Sequence, residues 1–314
     1  MTTTTTSSHR RSRFVPAVAP PSFLITPRDV EIVRQVARHR FLNSTQISDL
    51  LAAPHKKICD RLTFLFHGKY LDRPHEHRKF YRPGGGSERM VYALATRGAQ
   101  LLLEHGTRID PALDWARKNR EATHRFIQHT LAIADVRVGL LRGIRSRPGF
   151  TLLEPEQLLA AMPPATQAMP NPWLWKAHVT HNSVAREVAL VPDYAFAVIF
   201  PDGKRRACLV ECDRGTMPID RSNLDQTSLL KKFLGYTAGK RAKLHQRQFD
   251  WKAFRVLIIT NTAERAQNLA TVVRERVHAD GHDLFLITDR ASLASSDLLA
   301  HPWIDARGRK HTLV

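Results

Sequence analysis

Apolar residues first recur at helical spacing in "ITPRDVEIVRQVARHRFL", where Val30, Val33, Val36, Ala37 and Phe41 share a face. Thr26 is a good N-cap type and Pro27 suits the first helical position. Asp29, three after Thr26, favours the positive end of the helix. "NSTQISDLLA" predicts a second helix capped by Ser44, with Ile47, Leu50 and Leu51 on its apolar face. After Pro54, "HKKICDRLTFLFHGKYL" turns Ile58, Leu62 and Leu65 inward and ends at Gly68. His55, Lys56, Lys57 and Arg61 fall on the exposed first turns of that third helix. "KYLDR" and "RMVYALATRGAQLL" then predict two strands and a closing helix, separated by "PHEHRKFYRPGGGSE".

Three helices of this spacing, the third basic near its start, form the skeleton of a helix-turn-helix. The long, basic hairpin with glycines at its tip makes it a winged helix, expected over residues 22–110. Arg78, Lys79 and Arg82 in that wing would neutralise phosphates, while the basic residues of the third helix reach base edges. The "HEH" at 75–77 is expected in a solvated loop of the wing. Residues 1–21, with three arginines and no apolar core of a signal sequence, are expected to be a disordered basic arm.

From residue 111 to 314 the pattern changes. "WARKNREATHRFIQHTLAIADVRVGLLRGI" predicts one long helix, "FTLLEPE" a strand, and the proline-rich "MPPATQAMPNPW" a surface loop. Next comes the hairpin "VPDYAFAVIFPDGKRRACLVECDRGT", then helix "SLLKKFLGYTAGKR", strand "FRVLIITN", helix "ERAQNLATVVRERVHA" and strand "DLFLITD". The order α-β-β-β-α-β, with an added α-β, predicts a mixed sheet flanked by helices, so the fold class is α/β (α+β).

Charge adds a partner to this picture. Lys and Arg number 48 against 29 Asp and Glu, a net charge of +19. Residues 1–110 alone hold 18 basic and 9 acidic side chains. A field of that sign draws polyanions, and no apolar run has the length of a spanning helix, so double-stranded DNA is expected rather than a membrane. Cys59, Cys208 and Cys212 form no CxxC pair and suit a reducing, cytoplasmic setting as small buried residues. The 16 His show no compact zinc-ligand spacing.

The hairpin holds the candidate chemistry. Folded about its Pro-Asp-Gly turn, it brings Asp193 opposite Cys212, beside Glu211 and Asp213; one residue of register decides whether Asp193 shares their face. Carboxylates this close repel unless a proton or cation lies between them, and a hard divalent ion would relieve that and activate water at a phosphate. The plainer reading makes Asp193 a turn residue and Glu211 and Asp213 exposed strand ends with Arg214 as partner.

Pro192-Asp193 and Glu211 resemble the PD-(D/E)xK nuclease superfamily, although Asp213 stands where that pattern has Lys. The resemblance implies Asp193 and Glu211 as ligands of Mg2+ or Mn2+, and Asp213 as an assisting acid. It implies a lysine moved to the following helix, Lys231 or Lys232, with Tyr236 four beyond the latter. Glu121 would be an additional acid. Across residues 23–260, "ITPRDVEIV", "GKYLDR", "VYALATRGAQLL", "QHTLAIADVRVGL", "VPDYAF", "LVECDRGT" and "KKFLGY" resemble the replication-relaxation proteins of bacterial plasmids and mobile elements. That resemblance implies an accessory DNA-binding role in replication or mobilisation, with relaxase or replication proteins as partners. His129 matches a position of that family and is expected to be a buried, hydrogen-bonded side chain. Pairing of winged helices on repeated half-sites would give a homodimer. A metal-dependent nickase and a transcriptional repressor are the competing functions.

Overall fold

The computed structural model describes residues 13–20, 22–78, 89–110, 113–181, 184–221, 226–294 and 296–314. The chain divides into two compact units, Met1–Val138 and Gly139–Val314.

In the first unit, α1 (Pro27–His39) opens on a reciprocal cap: Asp29 N–H bonds Thr26 Oγ1, and Thr26 N–H returns to Asp29 Oδ2 at 2.8 Å. β1 (Phe41–Asn43) leads into α2 (Ser44–Leu50). The cap of α2 is Asn43, not Ser44. Asn43 Oδ1 accepts from the N–H groups of Thr45 and Gln46, and the Gln46 side chain accepts from Asn43 N–H at 2.9 Å. α3 (His55–His67) ends at Gly68 as the sequence predicts. β2 (Leu71–Asp72), α4 (His75–Arg78), β3 (Val91–Leu94) and α5 (Thr96–Glu104) follow. The strands form an antiparallel sheet in the order β1-β3-β2. Ile32, Val33, Val36, Ile58, Leu62, Leu65 and Leu102 are buried, so α1, α3 and α5 turn their apolar stripes inward.

The "HEH" segment is a helical turn rather than a solvated loop, and His77 is fully buried. The expected long helix is two helices, α6 (Trp115–Glu121) and α7 (His124–Arg145). Ala122 is extended (φ −66°, ψ 115°), and Thr123 Oγ1 accepts from Phe126 N–H, which starts α7 afresh. Ala122, Ile127 and Leu131 bury against Phe41, Val91 and Ala93. Asn119 donates to Asp72 Oδ2 and Leu94 O and accepts from Arg40. These contacts place α6 and the first turns of α7 in the first unit. In the N-terminal segment, Ala17 N–H donates to Nδ1 of buried His67 at 3.0 Å.

The second unit runs through β4 (Thr151–Leu153), α8 (Pro155–Ala160), α9 (Pro164–Gln167), β5 (Trp175–His181) and β6 (Val184–Leu190). β7 (Tyr194–Ile199), β8 (Arg205–Cys212), α10 (Leu229–Arg241), α11 (Leu244–Phe249) and β9 (Phe254–Thr260) follow. The unit closes with α12 (Ala263–Arg276), β10 (Phe285–Asp289), α13 (Arg290–Ala294), β11 (Trp303–Ile304) and β12 (Lys310–His311). The main sheet has seven strands in the order β12-β11-β10-β9-β8-β7-β4. β8, β9 and β10 are parallel and the other neighbours antiparallel. With thirteen helices among the described residues, the fold is mixed α/β.

The segment expected as a proline-rich loop carries the short α9, and β5–β6 is an antiparallel hairpin outside the main sheet. It lies against α10 through Trp175: a Cβ on Gly239 would meet the indole at 2.0 Å. α10 in turn buries Phe233 and Tyr236 in the core with Leu209, Val256, Ile258 and Phe285. Because β8, β9 and β10 are buried along nearly their whole length, polar groups at their C-terminal ends stand at the edge of an apolar layer.

Candidate functional site: a basic helix start and a carboxylate corner

In the first unit, His55, Lys56 and Lys57 lie exposed on the first turn of α3. His55 Nε2 stands 3.1 Å from Ser44 Oγ and 3.5 Å from Cys59 Sγ. Arg61, one turn on, is engaged elsewhere. Its Nε donates to Asp29 Oδ1 at 2.7 Å, its Nη2 donates to Asp29 Oδ2 and to Leu24 O, and the guanidinium covers Phe23 and Phe64. Asp29 is fully buried. Burial alone would raise its pKa, but Arg61 and Thr26 outweigh burial and hold it below the ordinary value. Arg78 is the last residue of α4, while Lys79 and Arg82 lie outside the described residues.

In the second unit, Gly203 takes a left-handed conformation (φ +78°) and the loop closes with Phe200 N–H on Lys204 O at 2.8 Å. Phe200 and Lys204 thus close a three-residue loop, 201–203, and Tyr194 faces Val210. This is one residue away from the expected register and carries Asp193 toward Glu211 rather than Cys212. The side chain of Asp193 still reaches Cys212, whose N–H donates to Oδ2 at 2.8 Å.

Glu211 is only 2% exposed. Its Oε2 accepts from Lys232 Nζ at 2.5 Å and its Oε1 from Tyr236 Oη at 2.6 Å. Ser228 caps α10 by accepting from Lys231 N–H, which sets Lys232 in the first turn and Tyr236 four residues on, on the same face. Of the two candidate lysines, Lys232 is the one at the corner. Asp213 turns to other partners: Thr260 Oγ1 donates to its Oδ2 at 2.7 Å, Arg265 to both oxygens, and Gly215 N–H to Oδ1.

The corner sets two carboxylates, Asp193 and Glu211, against one ammonium. Burial pushes Glu211 above the ordinary glutamate range despite Lys232, and Asp193 adds to the push. For Lys232 burial works the other way, but the charges of Glu211 and Asp193 prevail and raise its pKa. Burial and the Glu211 charge lift Tyr236 well above its usual value, so its hydroxyl remains a donor.

Glu121 is exposed at the end of α6, in the first unit, 3.9 Å from Arg117. His129 is half-buried on α7. Thr260 and Arg265, which hold Asp213, carried no signal in the sequence: they lie 47 and 52 residues away, on β9 and α12. Tyr236 had one, its four-residue spacing from Lys232.

The fold and these clusters define a two-unit α/β protein with a basic helix start in one unit and a strand-end carboxylate corner in the other. The replication-relaxation family model matches residues 33–250, and the chain belongs to that family. No curated protein and no solved structure matches the chain.

Proposed function

We propose that this protein binds duplex DNA through its first unit, acting as a winged helix, in the service of replication or mobilisation of that DNA. The observation that carries the reading is the element order α1-β1-α2-α3-β2-α4-β3-α5 around the antiparallel sheet β1-β3-β2, with His55, Lys56 and Lys57 exposed where α3 begins. In this reading α3 enters the major groove, and the segment between β2 and β3, with Arg78, Lys79 and Arg82, follows the backbone as the wing. Arg61 belongs to the scaffold that fixes the angle of α3, because its charge is held by Asp29. Family membership supports the replication setting. The second unit, in which β4, β7, β8 and β9 share one sheet and α10 follows β8, is a nuclease-like scaffold presented to relaxase or replication proteins, and a homodimer would read paired half-sites.

Fluorescence anisotropy of a labelled duplex, with wild type and a Lys56→Ala/Lys57→Ala variant, tests this. The variant should bind roughly tenfold or more weakly, as expected for losing two phosphate or base contacts. Equal affinities would remove α3 from the interface. Magnesium-dependent cleavage of the same duplex, lost in Asp193→Ala, would favour the nickase reading instead.

A further inference from the structure

The PD-(D/E)xK pattern implies a divalent ion between Asp193 and Glu211. Magnesium held by one or two carboxylates keeps several of its waters, so it needs carboxylate edges that open to solvent. Glu211 presents no such edge: it is 2% exposed and each of its oxygens already accepts a hydrogen bond, from Lys232 or from Tyr236. Asp213, the next acid along β8, is turned onto Thr260 and Arg265. Asp193 is half-buried with Oδ2 on Cys212 N–H. Among the described residues no group of three His, Cys, Asp or Glu could hold a metal. The donor set does not fit a hydrated divalent ion.

We infer that the corner is a metal-independent charge clasp: the Lys232 ammonium stands where a divalent cation would stand and ties the first turn of α10 to the end of β8. The placement of its parts follows from this role. Lys232 and Tyr236 sit four apart on one helix face, so each meets one oxygen of the same carboxylate. A buried ion pair holds only when its remaining hydrogen-bonding capacity is met, and the Tyr236 hydroxyl meets it for Glu211. Asp213 and Arg265 repeat the device one step along, tying the residue that follows β8 to α12.

The test uses the full chain as wild type, Glu211→Gln, Lys232→Met and the double variant, followed by thermal unfolding and by manganese binding in electron paramagnetic resonance. A clasp predicts the same wild-type melting temperature in EDTA and in millimolar magnesium, and manganese binding unchanged by Glu211→Gln. It also predicts that each single variant melts lower, because one buried partner is left alone, and that the double variant recovers most of the loss. One manganese bound by wild type and lost in Glu211→Gln would overturn the inference. So would strictly additive losses in the double variant. If Lys232→Met does not fold, the comparison of wild type with Glu211→Gln decides by itself.

Discussion

Asp29 and Glu211 are both carboxylates with almost no access to solvent, yet their surroundings push them in opposite directions. Burial raises both. At Asp29 the Arg61 fork and the Thr26 cap more than offset it, whereas Glu211 has one ammonium and faces the charge of Asp193. A carboxylate with a lowered pKa contributes stability above its ordinary value, here 3.8, and loses it as the pH falls toward the lower folded value. Urea midpoints of wild type and Asp29→Asn should therefore converge as the pH drops below about 4. A gap that stays constant to pH 2 would deny the shift. Thr26→Ala should cost about 1 kcal/mol through the lost cap, read from the same midpoints. Truncating Lys232 alone should cost about 3–5 kcal/mol, since an unpaired buried charge remains. The Thr26–Asp29 cap was legible because its partners lie three residues apart. The partners of Glu211 and Asp213 were not, because chain distance carries no information about which helix face meets which strand end.

Among the elements, helices with a local start signal and strands about a marked turn were the readable ones. α1, α3, α10 and the β7–β8 hairpin all formed where pattern and turn chemistry put them. The register of that hairpin differed by one residue because Gly203 closes a three-residue loop. The β5–β6 hairpin was missed although it carried a signal: buried Trp175, Ala177 and Val179 alternate with exposed Lys176, His178 and Thr180. The proline cluster before it has the composition of a loop and obscures that alternation. Its attachment depends on the missing Cβ of Gly239, where Trp175 sits. Gly239→Ala should cost about 1–3 kcal/mol by overpacking. Hydrogen exchange should quicken in 175–190 while β8, β9 and β10 keep their protection. Uniform quickening across the unit would mean that the hairpin is no separate attachment.

Over the whole molecule, a net charge of +19 makes attraction to polyanions certain in sign but says nothing of geometry. The exposed first turn of α3, set on the antiparallel β1-β3-β2 frame, turns that attraction into a proposed DNA-reading surface, and it was legible because its charges and its apolar stripe lie in one short segment. The most direct measurement is the dependence of log binding constant on log salt, for wild type and for Lys56→Ala/Lys57→Ala. Each phosphate contact contributes a slope of about −0.9, so if both lysines meet phosphates the variant should flatten the slope by about 1.8. Parallel lines with equal affinities would contradict the account and leave the charge of the first unit as solvation alone.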